Sequence, residues 1–401
     1  MWQTIRLGDV CTISSSKRIF AKEYQTEGIP FYRGKEVIEK HNGNKVSTEL
    51  FISPKRYEEI KGKYEVPKKG DILLTSVGTL GIPWLVDEDD FYFKDGNLTW
   101  LRCNTQILPS YLYLWLNSAE AQNQIDVKCI GSTQKALTIE TLNKFQITLP
   151  SLELQKKIVA VINPIESRIN INRSVNENLE QQTKALYQSW FVDYLPFEGI
   201  IPEGWHKGTL SDLADAIICG KTPSTKHSEY YGNEVPFITI PDMHNQIYAV
   251  STARSLSTVG VASQSGKMLP RNSTCVSCIG TAGLVCMVAE PSQTNQQINS
   301  IVPSPDVSPY YIYLLAKTLS DTIQNLGSGG STICNLNKRQ FSAIEVLIPS
   351  VESMQKFDKI VCPLFEAIHI NQVENLRLVE LRDTLLPRLM SGEIDVSNIQ
   401  L

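Results

Sequence analysis

A chain of 401 residues, 42% apolar and 20% charged, is long enough to bury a sizeable core and to form two or more domains. Its formal net charge is −4, with 19 Lys+Arg against 18 Asp+Glu in residues 1–150, 9 of each in residues 205–345 and an acidic remainder, so a phosphate-binding surface has to be a local patch. Nine irregularly spaced cysteines argue against a secreted disulfide scaffold, and the lack of an apolar signal core or a run of about 18 apolar residues leads us to expect a soluble cytoplasmic protein without membrane contact.

In chain order, "WQTIRLGDV" (Trp2 to Val10) opens about 150 residues of short strands and turns, a mixed α/β globule with one helix predicted over "PSYLYLWLNSAEAQNQI". The basic stretch "PKRYEEIKGKYEVPKKG" (Pro54 to Gly70) has interleaved Glu residues that suit an exposed helix, with phosphate contact as the alternative. "DEDD" (Asp87 to Asp90) sits in an evident loop. "GSTQKALTIETLNKFQITLPS" (Gly131 to Ser151) closes the globule, and the pattern then turns helical. "VDYLPFEGIIPEGW" (Val192 to Trp205) reads as an exposed linker, after which a second globule begins and carries its own single helix in "SPYYIYLLAKTLSDTIQNL".

The second globule repeats the first. "GSTICNLNKRQFSAIEVLIPS" (Gly330 to Ser350) answers the segment from Gly131, with Phe145, Ile147 and Leu149 matched by Ile344, Val346 and Ile348. Upstream, "SVGTLG" answers "CIGTAG", "IPFYRGKEV" answers "VPFITIPDM", and "WQTIRLGDV" answers "WHKGTLSDL". A nearly constant offset with small drifts is what a duplicated domain with variable loops leaves behind. Downstream of each "PS", Ile158, Ile165, Asn172, Leu179 and Leu186 fall seven apart, and their counterparts Phe357, Leu364, Asn371, Leu378 and Leu385 do the same. A heptad seam with one polar position predicts two long helices packed on each other; two unrelated amphipathic helices, each on its own globule, are the alternative. Pro164 and Pro363 should start or kink the helices. From Pro164 to Phe191 the helix would span about 40 Å, slightly more than the ~34 Å of one turn of B-DNA. The expected fold class is α+β, two mixed α/β globules held apart by a helical rod.

Catalytic signatures are missing. "GVASQSGKM" has one residue too many between its glycines for a phosphate loop and Met268 where a hydroxyl should bind magnesium. No GxGxxG, GxSxG or HExxH occurs, and no Asn-Pro-Pro-aromatic stretch of the amino-methyltransferase kind. Cys275 and Cys278 form a CxxC without a second pair, in a setting that alternates like a strand, so buried strand cysteines are expected rather than zinc or redox chemistry. The chain is expected to bind rather than catalyse, with no metal of its own.

The duplicated layout, "ALYQSWFVDYLPF" and "IPEGWHKGTLSDLADAIICGKTPS" in the middle, and the terminal "LRDTLLPRLMSGEI" together resemble the specificity (S) subunits of type I restriction-modification enzymes over essentially the whole chain. The resemblance implies target recognition domains at 1–150 and 196–350, and conserved helical spacers at 151–195 and 351–401 that lie antiparallel as a coiled coil with a pseudo-two-fold repeat. It implies a non-catalytic, sequence-specific subunit that reads a bipartite target in double-stranded DNA, asymmetric because the globules differ. Its partners would be two methyltransferase (M) subunits, which hold S-adenosylmethionine and methylate adenine N6, and endonuclease-translocase (R) subunits, which use ATP and Mg. No cofactor is expected on this chain. An S-type module of another restriction-modification architecture, or a coiled-coil scaffold with no DNA role, are the alternatives.

Phosphate contacts call for Lys, Arg, hydroxyls and backbone N–H groups, and base edges for side chains that offer donor and acceptor pairs. In the first globule these criteria select Lys17, Arg18, Arg33, Lys35, Ser76, Gly78, Thr79, Gln134 and Lys135. In the second they select Lys221, Thr222, Ser224, Lys226, His227, Asp242, His244, Thr281, Gln296 and Gln297. "GKTPS" is similar to the family's Gly-Gly-Thr-Pro-Ser with Lys221 in place of the second Gly, which substitutes a phosphate-binding cation for a close backbone approach.

Overall fold

Each "PS" of the repeated segment is a helix start. Ser151 and Ser350 present their hydroxyls to the N–H groups of Leu154 (3.5 Å) and Ser353 (3.3 Å), satisfying donors that the first turn leaves open. From these caps run two helices of 40 residues each, Leu152–Phe191 and Val351–Met390, about 60 Å long at 1.5 Å per residue. The computed structural model describes residues 2–44, 46–87, 90–128, 136–328 and 334–399. Both prolines lie inside their helices, twelve residues past each start, rather than beginning them. Each removes one backbone donor, and the remaining turns carry the helix through.

The chain divides into two compact units, residues 1–174 with 377–401, and residues 175–376. A stretch of each long helix therefore belongs to each unit, so by packing the helices are not segments apart from the globules.

The two units share one topology. In the first, an antiparallel sheet runs Cys11–Ser14, Leu98–Cys103, Ile72–Thr75, Pro83–Leu85. In the second, Ala214–Cys219, Ile298–Pro303, Thr274–Ser277 and Val285–Val288 take the same order, and Tyr248–Ala249 adds a parallel edge. The third strand of each sheet is buried along its whole length, which is why it is almost continuously apolar in the first unit. A smaller sheet follows in both: Tyr24–Gln25, Phe51–Ile52, Ile29–Tyr32 and Tyr92–Phe93, against Tyr231–Gly232, Ser255–Leu256, Val235–Ile238 and Gln293–Thr294. The opening and closing strands pair antiparallel, Gln3 opposite Leu149 and His206 opposite Ile348.

The helix expected once per globule is two helices in each case: Pro109–Leu116 and Ala119–Lys128, then Pro309–Thr318 and Ser320–Ser328. At the first break the Ser118 hydroxyl accepts the Ala121 N–H (3.3 Å) and the Gln122 amide donates to the Leu116 carbonyl (2.7 Å), so the groups freed by the bend are paired. Pro54–Lys63 is helical as expected, capped by the Ser53 hydroxyl on the Arg56 N–H (3.1 Å) and burying Tyr57 and Ile60.

Within each unit the two long helices pack antiparallel. In the first, Ile158 and Ile162 share a core with Leu386 and Leu389, and the Arg382 guanidinium meets the Glu166 carboxylate at 3.1 Å. In the second, Phe357 packs on Phe191 and Trp190, and the Asn371 amide donates to Asn176 Oδ1 at 2.9 Å. Of the heptad positions, Ile158, Asn172 and Phe357 are buried, while Ile165, Leu179, Leu186, Leu364, Asn371, Leu378 and Leu385 are half-buried. The deepest line instead steps by three and four through Phe357, Val361, Phe365 and Ile368, as expected of straight helices, on which a strict seven-residue pattern drifts by about 20° per heptad. Gln155, fully buried, ties the first helix to its globule, donating to the carbonyls of Gln106 and Pro150 and accepting the Leu108 N–H.

The segment read as an exposed linker is stapled by rings. Trp205 is buried, packs on Phe191 and Phe197, and donates its indole N–H to the Ser353 hydroxyl at 3.3 Å. Val192, Leu195, Ile200 and Ile201 between them are exposed.

Candidate nucleic-acid interface

Three loops meet at one end of the main sheet in each unit; two of them in the first unit and all three in the second carry residues selected from the sequence. In the first unit the loop after Cys11–Ser14, the turn after Ile72–Thr75 and the turn before Leu98–Cys103 converge: the Ser76 N–H donates to the Asn97 carbonyl (2.8 Å), and the Gly96 N–H reaches the Ser15 hydroxyl (3.4 Å). In the second unit the same three loops meet through the Cys278 N–H on the Gln297 carbonyl (2.8 Å) and the Lys221 N–H on the Thr294 carbonyl (2.9 Å).

The first and third loops are pinned by a side-chain pair at an equivalent place. In the first unit Arg18 Nε donates to Asp95 Oδ2 at 2.8 Å, and in the second Thr222 Oγ1 donates to Gln296 Oε1 at 2.6 Å. The Asp95 carboxylate raises the Arg18 guanidinium further above its ordinary value. One scaffold thus carries a charged pair in one copy and a neutral hydroxyl–amide pair in the other. Lys17, Lys221, Lys226, His244, Thr281, Gln296 and the turn residues Gly78 and Thr79 are exposed, and Gly78 uses the left-handed conformation (φ +81°) that suits glycine. Lys17 also lays its ammonium over the Tyr64 ring, 4.5 Å from the centroid. Ser224 accepts the Lys226 N–H (3.4 Å), while His227 contacts Glu229 at 2.9 Å and stacks on Tyr230. Gln297 holds the turn itself, accepting from Asn295 (3.0 Å). Gln134 and Lys135 lie outside the described residues.

Several selected residues are committed to the fold. Ser76 is buried, its hydroxyl 2.5 Å from that of Thr99, so it offers nothing to a ligand. Asp242 is buried as the third residue of the turn Ile240–Met243, its carboxylate accepting the Thr239 N–H (2.8 Å), the Thr239 hydroxyl (2.6 Å) and the Ala253 N–H (2.8 Å). It is a cap, not a base reader. Its counterpart in the first unit is Glu36, fully buried in the helix Gly34–His41, which accepts the Arg33 N–H and its guanidinium, both at 2.8 Å. Burial acts to raise the Glu36 pKa, yet the Arg33 hydrogen bonds hold the carboxyl below its ordinary value. Arg33 is thus largely spent on Glu36, and Lys35 stands exposed beside Glu39 at 3.8 Å.

Two residues that shape this end of the sheet carry no local sequence signal. Asp95 is found only through its pairing with Arg18 across 77 residues. At Gly220 an added Cβ would lie 2.1 Å from the Asn295 carbonyl oxygen and 2.3 Å from that of Thr294. The close backbone approach expected of the second family glycine is thus made by the first. Both CxxC cysteines are buried, but only Cys275 is a strand residue, directly opposite Cys286 with the Ser300 hydroxyl 3.4 Å away; Cys278 lies one residue past the end of that strand. Among the described residues no group of three or more metal-ligating side chains occurs, and no helix is long and apolar enough to cross a membrane.

A duplicated α+β reader with polar loop tips is one class of protein, and comparison with known sequences places the chain within it. The family model described as "Type I restriction modification DNA specificity domain" matches residues 1–181 and again 202–380. The HindI type I specificity subunit of Haemophilus influenzae is 36% identical over 400 residues, covering 82% of this chain and 87% of the relative. The MjaIX specificity subunit of Methanocaldococcus jannaschii is 24% identical, covering 99% and 94%. The S subunit structure from M. genitalium superposes with a TM-score of 0.63 at 15% identity over 97% of this chain and 96% of that one, which supports the fold. The chain belongs to the type I restriction-modification specificity family, whose members are the non-catalytic subunits of their complexes.

Proposed function

We propose that each unit reads one half of a bipartite, asymmetric target in double-stranded DNA, and that the chain thereby directs partner subunits to that sequence. The observation that carries this reading is the loop tip built twice on one scaffold with different chemistry: Arg18 with Asp95 in one copy, Thr222 with Gln296 in the other. An Arg fork suits guanine O6 and N7, and a Gln amide suits adenine N6 and N7, so equivalent positions would read different bases. Lys17, Lys221 and Lys226 supply phosphate contacts beside these pairs. Two methyltransferase subunits would hold S-adenosylmethionine and transfer its methyl group to adenine N6, with endonuclease-translocase subunits supplying ATP- and Mg-dependent restriction.

The test is to co-express the chain with the methyltransferase encoded beside it and map modified adenines on the host chromosome. A single split motif with a modified adenine in each half is expected, and exchange of residues 1–150 for those of a relative should alter one half only. Assembly of the complex without sequence-dependent modification or binding would refute the reading.

A further inference from the structure

Short strands at equivalent places in the two units share a backbone frame. In the first, the Leu50 carbonyl accepts the Phe31 N–H (2.9 Å) and the Thr48 hydroxyl (3.2 Å); in the second, the Arg254 carbonyl accepts the Phe237 N–H (3.1 Å) and the Thr252 hydroxyl (2.7 Å). The frame is the same and the side chain is not. Leu50 is half-buried against the core of its unit, whereas Arg254 is exposed and, among the described residues, pairs with no carboxylate. Arg254 stands on an open cleft of about 580 Å³ in the second unit.

The cleft is walled on one side by residues 252–255 and on the other by Thr225, Ser228 and Asn233, which continue the loop of Lys221, Thr222 and Lys226. No carboxylate lines it. The hydroxyls of Thr225, Ser228 and Ser255 and the Asn233 amide are not engaged in side-chain hydrogen bonds among the described residues, while the Tyr231 hydroxyl is used within the fold, on the Pro223 carbonyl at 2.8 Å. Glu234 stands outside the lining, its carboxylate accepting the Asn233 N–H at 2.9 Å. A guanidinium among small hydroxyls and an amide is a donor set that suits a phosphodiester, and the carboxylate that approaches the lining at Gly232, that of Glu234, is engaged by the Asn233 N–H.

We infer that this cleft is a backbone-phosphate station for duplex DNA, present in the second unit and lacking in the first, with Arg254 as its charge. The inference rests on the DNA-reading function proposed above and adds where one strand is held. A phosphate contact positions the duplex without reading sequence, so it would act equally on target and non-target DNA.

The test uses the full chain assembled with its methyltransferase partner and two labelled duplexes, one with the target mapped by modification and one without it. Arg254→Gln should weaken both by the same several-fold factor and lower the slope of log affinity against log salt by about one unit. Arg254→Lys should restore most of the slope, and the methylation motif should not change in either variant. An unchanged slope in Arg254→Gln would overturn the inference. So would a relaxed base preference in one half-site, which would make Arg254 a base reader. If the unsubstituted complex fails to distinguish the two duplexes, the parent reading falls with it, whereas discrimination with an indifferent Arg254→Gln removes the cleft alone.

Discussion

Gly220→Ala isolates the close packing behind the second loop tip. The new Cβ would meet two carbonyl oxygens at 2.1 and 2.3 Å and the Thr294 hydroxyl at 2.3 Å, all well inside contact distance, and two of these atoms are backbone. Relief requires the loop to move by about 1 Å, which breaks the 2.9 Å bond from the Lys221 N–H to the Thr294 carbonyl. Loss of that bond costs about 1 kcal/mol and forced overpacking about 1–3 kcal/mol, so we expect destabilisation of roughly 2–4 kcal/mol. For a unit of this size that is a fall of roughly 4–16 °C in Tm. Gly266→Ala is the control, because nothing lies within 4 Å of its added Cβ, and it should be neutral or slightly stabilising. Calorimetry on the two variants decides the matter: a Gly220→Ala protein melting with the wild type would refute the packing argument, and with it the idea that this glycine fixes where Lys221 and Thr222 are presented.

Three further outcomes follow from the same geometry. Glu36 has a lowered native pKa, so the stability it contributes is complete above the ordinary carboxylate range and lost as pH falls through that lowered value; Arg33→Met should weaken this acid-side loss, read as stability against pH, while DNA affinity changes little. Phe357→Ala removes a fully buried ring packed 4.8 Å from Phe191 and should cost about 3–5 kcal/mol in denaturant unfolding. Arg18→Ala should alter only one half of the methylation motif and Gln296→Ala only the other, as mapped on chromosomal DNA; a change in both halves from either substitution would contradict independent reading by the two units.

What the sequence reveals here is what is encoded locally or by repetition. The duplication is visible because the same apolar strands and the same Pro-Ser starts recur, and the starts are legible because a hydroxyl at a helix cap acts within three residues. Proline was less informative: Pro164 and Pro363 sit inside turns that surrounding packing holds helical, and packing is not local. The polar site was partly legible for the same reason. Lys17, Arg18, Lys221 and Thr222 were found by residue type, but whether a polar group is spent within the fold depends on partners elsewhere. Thr99 consumes the Ser76 hydroxyl from 23 residues away, and Ala253 takes part of Asp242 from 11. Asp95 and Gly220 acquire meaning only through loops 77 and about 75 residues distant, which no spacing rule reaches.

The division of the chain imposes an order on its synthesis. Residues 175–376 are contiguous, so the second unit has all its parts as soon as they leave the ribosome, whereas the first needs residues 377–401 to finish its core. Until Leu386, Leu389 and Met390 arrive, Ile158 and Ile162 lack their covering partners. At a translation rate of about 5–20 residues per second, some 200 residues of delay leave that apolar face open for roughly 10–40 s. The half of the protein made first is therefore the half completed last.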